Sequence, residues 1–347
     1  MGEILGLGIT HQPPLTAGTV RPGSLGATLK DPGVPEHLRT PDGWPEAMRL
    51  EWGSDEGATH GAAHRATLFD EIAKMRKVLD DFQPDVVIAF GDDQYENFRE
   101  DVVPPFCVLA YDELIFQPFK KFPDNFWDEP ADKEYRFPGH RPAAKYLTTS
   151  LLAQHVDMAY AYKPLHEPLG HAFRNTIMYL DWQQRDYAYP TIPIAVNCYG
   201  RTLIHAKGYL SKVGYVPSPD ELDPPSPSPA RCFEVGAAIA RAMADSPWRV
   251  ALIASSSWSH AFLTEKTWHL WPDHDADRML FEALRAGNYD RWKQRTLEEV
   301  EDSGQHEMLN WYCLVGAMAE LGRKPDYTTY LESSIMNSNK VIASFKA

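Results

Sequence analysis

The sequence predicts an α/β fold, a single domain with a mixed, largely buried sheet flanked by helices. Three observations predict it. Apolar runs of strand length recur along the chain, each stopped by proline, glycine or a polar turn. The runs are close to continuously apolar, the pattern of strands covered on both faces. Stretches with helical spacing of apolar residues alternate with them, as one layered domain requires.

Residues 3–9 (EILGLGI) read as the first strand. It ends at Thr10-His11-Gln12-Pro13-Pro14, where the prolines forbid continuation, so His11 stands at a strand's C-terminal end. Residues 13–58, rich in Pro and Gly, show no clear periodicity and read as a long N-terminal insertion that covers a site or wraps the surface. A helical pattern begins near Thr59 and continues through Leu68, Ile72, Met75 and Leu79. Pro84-Asp85 then opens a second strand, VVIAF, which stops at Gly91-Asp92-Asp93-Gln94. Polar turns of this kind are where open α/β sheets present ligands. Further strands are expected at Phe106–Ala110, Met158–Tyr162, Thr191–Asn197 and Arg249–Ala254, and helices near Ala143–Gln154, Cys232–Ala244, Asp277–Ala286 and His306–Leu321. Residues 216–230 (VPSPDELDPPSPSPA) carry six prolines and read as a surface loop, because the strand and helix patterns resume after them. The expected domain spans residues 1–347, with no internal repeat and no phosphate-cradling glycine motif.

A net charge of −14, from 34 Lys and Arg against 48 Asp and Glu, supplies no basic field for a phosphate backbone or an anionic membrane. No apolar run approaches the roughly 18 to 20 residues needed to cross a bilayer. The start MGEILGLGIT lacks a basic n-region, and the expectation is an unexported, cytoplasmic protein. Cys107, Cys198, Cys232 and Cys313 lie far apart, which fits a reducing compartment and argues against a thiolate zinc site.

Histidines carry the stronger signal. His11, His171 (in Leu169-Gly170-His171-Ala172), His260 (after Ser255-Ser256-Ser257-Trp258-Ser259) and the helix-edge pair His60 and His64 all border strand or helix ends. With Asp92-Asp93 and the run Asp273-His274-Asp275-Ala276-Asp277 they supply the imidazoles and carboxylates of a two-histidine, one-carboxylate site with open coordination positions. Each has a plainer reading. A strand-end histidine is often only hydrogen-bonded, Asp92-Asp93 can cap the next helix, and Asp275 or Asp277 can cap the one that follows. His269 and His274 can simply pack near Trp268 and Trp271, and His37, His155 and His205 carry no motif.

The order of the segments resembles the class III extradiol dioxygenases, the family of the protocatechuate 4,5-dioxygenase catalytic subunit. The resemblance rests on Gly8-Ile9-Thr10-His11, on Pro84-Asp85-Val86-Val87 running to Gly91-Asp92-Asp93-Gln94 and Phe98, and on Gly139-His140-Arg141-Pro142. It continues through Gly170-His171-Ala172, Ile192-Pro193-Ile194-Ala195-Val196-Asn197, Arg231-Cys232-Phe233, Ser259-His260 and Gly316-Ala317-Met318. The Asp-Gln turn is similar to the branch acting on 3-O-methylgallate.

What the resemblance implies is a non-haem iron(II) centre that opens the ring of a catechol-type aromatic, gallate- and methylgallate-like compounds included, with O2. It implies His11 as an iron ligand, His171 as the acid-base histidine and His260 in the substrate pocket. Counting back from Leu284 sets Asp275 on the family's carboxylate ligand, with Asp273 as the fallback. Gln94 stands where the family has its second histidine ligand; since an amide is a weak iron ligand, His60, or else His64, is expected to fill that post and Gln94 to handle substrate. The expected partners are a small aromatic substrate, O2 and further copies of the chain in a homo-oligomer. Residues 13–58 are expected to lid the site, a task that a small helical subunit performs in the related enzyme. Two other readings stay open: a metal-dependent hydrolase or lyase on the same scaffold, and a catalytically silent relative that binds a partner protein.

Overall fold

The computed structural model describes residues 2–208 and 212–346. In chain order the strands are β1 (Ile4–Ile9), β2 (Val86–Asp92), β3 (Phe106–Leu109), β4 (Glu113–Phe116), β5 (Tyr135–Pro138), β6 (Ala159–Ala161), β7 (Thr191–Val196), β8 (Val250–Ser255), β9 (Tyr327–Leu331) and β10 (Lys340–Phe345). The helices are α1 (Gly23–Thr28), α2 (Glu46–Trp52), α3 (Ala58–Phe82), α4 (Arg141–Ala153), α5 (His171–Leu180), α6 (Pro229–Ala244), α7 (His274–Ala286), α8 (Tyr289–Lys293), α9 (Leu297–Asp302) and α10 (Leu309–Glu320).

Eight strands form one mixed sheet in the order β6-β3-β7-β2-β8-β1-β10-β9, and β4 pairs with β5 in a separate hairpin. The central strands β7, β2, β8 and β1 are parallel, so their C-terminal ends share one edge. β10 runs antiparallel to both β1 and β9, which seats the chain's last strand beside its first. This is the single α/β domain with a mixed sheet that the sequence predicts.

Alternate residues of a strand point to opposite faces, and β2 shows the consequence. Val86, Ile88 and Phe90 enter the core shared with α4, α6 and α10. Val87 and Ala89 enter the opposite core with α3 and α5. Both faces are therefore covered, which is why these strands are apolar throughout. Helices α6 and α10 approach closely because each lacks a side chain at the crossing: a Cβ on Gly236 would lie 1.8 Å from the Cys313 carbonyl oxygen, and one on Gly316 2.1 Å from that of Phe233.

Several expectations need correction. Residues 13–58, in which no clear periodicity is visible, hold α1, α2 and short 3-10 turns around a small core of Val20, Leu25, Val34, Leu38, Trp44 and Met48, closed by Ile335 and Met336. The proline-rich loop contains a 3-10 turn at Pro219–Glu221, and its last residues, Pro229 and Ala230, already open α6, since proline suits a helix's first turn. Strands β9 and β10 and helix α5 had no counterpart among the predicted elements.

Candidate metal centre

The C-terminal edge of the parallel strands gathers the polar groups. His11 lies two residues beyond β1, Asp92 is the last residue of β2, and Ser255 is the last of β8. His171 is the first residue of α5, and Glu307 sits in a 3-10 turn, His306–Met308, that leads into α10. All of these side chains are buried.

His11 Nδ1 is 2.7 Å from the Ser255 carbonyl oxygen. A carbonyl only accepts, so Nδ1 carries the proton and Nε2 presents a lone pair. That nitrogen faces Asp92 Oδ1 at 3.4 Å and Glu307 Oε2 at 3.5 Å. Three acceptors converging in a buried space repel one another unless a cation lies between them. Asp92 Oδ2 has no hydrogen-bond partner at all, which sharpens the same point. Among the described residues, His11, Asp92 and His171 form a group whose ligand atoms all lie within 4.8 Å of one another. The donor set, imidazole nitrogen with carboxylate oxygens and no thiolate, fits a first-row divalent metal.

Supporting contacts fix these groups. Tyr199 donates from its hydroxyl to Glu307 Oε1 at 2.7 Å, and Asn310 Nδ2 donates to Asp92 Oδ1 at 3.4 Å. Ser256 Oγ donates to the Glu307 carbonyl, and Trp311 Nε1 to the Ser256 carbonyl. On the other side His171 Nδ1 meets Glu96 Oε2 at 2.7 Å, and that oxygen also accepts from the His171 backbone N–H. The rings of His11 and His171 stand edge to face, 5.1 Å apart.

Burial, followed by the charge of His171, pushes His11 down to about 3, so it is neutral. Burial raises Asp92 to about 6 and, with Asp92 beside it, Glu307 well above the usual carboxylate range. Burial would lower His171, but the Glu96 charge and hydrogen bond, then Asp92, lift it to about 9. Glu96 is likewise raised by burial, yet the charge and hydrogen bonds of His171 and the Arg174 guanidinium outweigh that and hold it at about 2. Glu96 and His171 are thus an internal ion pair beside the Asp92 and Glu307 carboxyls.

Of the residues expected at the site, His11 and His171 are brought together, and His260 adjoins them, with Nε2 3.4 Å from Glu307 Oε2. Three lie apart. Asp275 is 95 % exposed and pairs with Arg278 on the outer face of α7, while Asp273 caps that helix and pairs with Lys266. His60 meets Ser333 Oγ at 3.1 Å and Glu51 at 3.5 Å, and its ring stacks on that of His64. Gln94 donates to the Gly208 carbonyl at 2.8 Å. Asp93 follows its plainer reading, accepting from the backbone N–H groups of Glu96, Asn97 and Phe98. Asp92 was among the candidate carboxylates but was not assigned as the ligand, and Glu307 escaped the sequence reading. Asp92 was visible as the end of a buried strand, and Glu307 as the acid following His306 at the start of a predicted helix.

A parallel sheet edge that buries imidazole and carboxylate ligand atoms within 4.8 Å of one another defines the class: an α/β protein with a candidate metal centre. Residues 222–339 match the family described as the catalytic LigB subunit of aromatic ring-opening dioxygenase. The chain is 25 % identical over 211 residues to a 2,3-dihydroxyphenylpropionate/2,3-dihydroxicinnamic acid 1,2-dioxygenase of Photorhabdus laumondii, covering 61 % of this chain and 52 % of that one. To the protein of the same name from Paraburkholderia xenovorans it is 27 % identical over 188 residues, covering 54 % and 47 %. It spans about half the length of the curated relatives it matches. Over these residues the chain is similar to ring-opening dioxygenases of the class III extradiol type.

Proposed function

We propose that the protein is a non-haem iron(II) extradiol dioxygenase that opens a catechol-type aromatic ring with O2, and that residues 1–347 act as one catalytic unit with 13–58 as an insertion. The observation that carries this reading is the His11 Nε2 lone pair facing Asp92 and Glu307 in a buried space. His11, Asp92 and Glu307 are the proposed ligands, with Asp92 and Glu307 in place of His60 and Asp275. Iron(II) held there would supply Lewis acidity and electron exchange between a catecholate and O2.

The chain's own residues do the rest. The Ser255 carbonyl holds His11 in the tautomer that keeps Nε2 free. Tyr199 and Ser256 orient Glu307. Glu96 fixes His171 by Nδ1 and holds it protonated, so that its ring can give a proton to a departing oxygen. Burial of the cluster excludes bulk water. His260, beside Glu307, borders the substrate in this reading. Among the described residues no helix is long and apolar enough to cross a membrane. The four cysteines are free and buried, which agrees with a cytoplasmic location. Self-association into a homo-oligomer belongs to the same reading and is checked by light scattering.

The deciding experiment measures metal content and oxygen uptake with 2,3-dihydroxyphenylpropionate, the compound in the relatives' names, alongside gallate-type catechols. Iron bound per chain, with O2 consumed in step with loss of substrate, is expected. Turnover of a substrate without oxygen would instead favour a hydrolase or lyase, and full activity in metal-free protein would end both readings.

A further inference from the structure

Outside the metal cluster, a cavity of about 240 Å3 opens between the end of β4 and the start of α5. Phe116, Pro118 and Leu169, all buried, give it apolar walls. Arg174, Lys120 and Lys121 bring three cations to it, in a chain whose net charge is −14. None of His11, Asp92, His171 and Glu307 lines it.

The two acids of its lining are already engaged. Glu167 Oε1 lies 3.0 Å from Lys121 Nζ, and Glu134 Oε1 lies 2.8 Å from the Arg136 guanidinium. Lys120 and Arg174 are left over. The Lys120 side chain is exposed and, among the described residues, makes no ion pair or hydrogen bond. Arg174 stands one turn into α5 with its side chain only 21 % exposed. Its one ion-pair contact among the described residues is Glu96 Oε1 at 3.9 Å, too far for a hydrogen bond. Its guanidinium donates no hydrogen bond to any described residue, and Nε is buried without a partner. A guanidinium carries five N–H donors in a fixed planar fork, and leaving them buried and unbonded is costly. That fork matches a carboxylate, which takes two parallel bonds from it.

We propose that this cavity is a second ligand site, which binds a small organic carboxylate with its charged end on Arg174 and Lys120 and its apolar body against Phe116 and Leu169. The site stands apart from the metal centre and does not depend on whether the protein opens a ring. It adjoins that centre through Glu96, which meets Arg174 with one oxygen and His171 with the other.

Calorimetry on the protein as purified, with hexanoate, hexanol, acetate and inorganic phosphate as probes, tests the assignment. Hexanoate should saturate one site per chain below about 10 mM and bind about 10- to 100-fold more tightly than hexanol, the range of charge-assisted hydrogen bonds. Acetate should bind at least about 10-fold more weakly, because it lacks the apolar body. Arg174→Gln should remove the preference for hexanoate over hexanol. Lys120→Gln, at the exposed rim, should weaken hexanoate about two- to five-fold. Asp92→Asn, which alters the metal centre, should leave hexanoate binding within about two-fold; a carboxylate held by a metal would be lost there. Equal binding of hexanoate and hexanol, a preference that survives Arg174→Gln, unchanged binding in Lys120→Gln, acetate or phosphate matching hexanoate, or loss of binding in Asp92→Asn each overturns the proposal. Should Arg174→Gln not fold, Lys120→Gln and the comparison of probes decide. Because no probe is a catechol and none needs oxygen, failure here is separate from failure to open a ring.

Discussion

Gly8 and Trp311 occupy one space between them: a Cβ on Gly8 would lie 2.0 Å from the Trp311 ring. The missing side chain in β1 lets the indole settle against the strand, where its Nε1 donates to the Ser256 carbonyl at 3.2 Å. Ser256 Oγ in turn donates to the Glu307 carbonyl at 2.8 Å. A bare α-carbon in the first strand therefore sets where Glu307 stands relative to His11. Gly8→Ala should cost about 1–3 kcal/mol by overpacking and weaken metal binding as well. Thermal melting and metal titration read the two effects. Native metal affinity in a destabilised variant would show that Glu307 is placed independently of Trp311.

Asp92→Asn and Glu307→Gln each keep the shape of the centre while removing a charge from it. Replacing groups that only support a metal ligand costs about 10- to 100-fold in affinity, so loss of a ligand should exceed that range. His60→Ala and Asp275→Ala should leave metal content unchanged, because His60 engages Ser333 and Glu51 and Asp275 faces solvent. Elemental analysis of the four purified variants checks this. Loss of metal in His60→Ala with retention in Glu307→Gln would reverse the proposed ligand set.

How far the sequence could lead is clearest in the elements it missed. The central strands were legible because burial on both faces leaves an unbroken apolar run, as in VVIAF. Helix α5 was not, because it has ten residues, nine of them buried, and the buried polar Asn175 and Thr176 blur its apolar face. β10 begins with a lysine, a residue rarely found fully buried, so KVIASF did not look like a central strand. Asp275 illustrates helix phase: two residues along a helix turn the side chain by roughly 200°, so Asp277 goes inward while Asp275 goes out. His11 and His171 were found because strand and turn signals surround them. Asp92 and Glu307 become partners only through tertiary structure that joins β2 to the start of α10, a relation carried by no local spacing.

The Glu96–His171 pair makes a pH prediction. His171 is raised from 6.5 to about 9, so its share of stability is fully present below 6.5 and is lost as pH rises through about 9. Glu96 is depressed from 4.5 to about 2, so its share is present above 4.5 and is lost as pH falls through about 2. The pair therefore stabilises in full between pH 4.5 and 6.5 and fades on both sides. Glu96→Gln should lower the melting temperature most in that window and less toward pH 9, measured on metal-free protein. A melting difference that does not vary with pH would mean that the side chains interact by packing alone.

His171→Ala tests the role assigned to that ring. Removing an acid-base group costs roughly 10²-fold or more in kcat, and iron content should remain close to wild type because His11, Asp92 and Glu307 remain. Oxygen uptake at saturating substrate, together with iron analysis, separates the outcomes. A variant without iron would make His171 a ligand, in keeping with its position in the His11–Asp92–His171 group. Wild-type kcat would leave it a purely structural histidine.

Asp277 provides the last prediction, and hydrogen-bond capacity decides it. Its carboxylate is wholly buried, and both oxygens approach the Ser259 backbone N–H, at 3.1 and 3.0 Å. Gln305 Nε2 donates to Oδ1 at 2.6 Å and Asn339 Nδ2 to Oδ2 at 2.7 Å. The hub thus ties together the segment before His260, the turn that carries Glu307 and the segment before Lys340. Asp277→Asn would point an amide NH2 at another amide NH2. Neither neighbour can rotate its amide freely to correct this, because Gln305 Oε1 accepts from Arg295 and Asn339 Oδ1 accepts from the Ser333 backbone N–H. The mismatch should cost about 1–3 kcal/mol, the penalty for one buried donor left without an acceptor. Because the hub braces the Glu307 turn, metal affinity should fall with stability, even though Asp277 is not a proposed ligand. Denaturant melts of the metal-free variant give the first number and metal titration the second. Unchanged stability would mean that the hub tolerates an amide, and with it the bracing role would be lost.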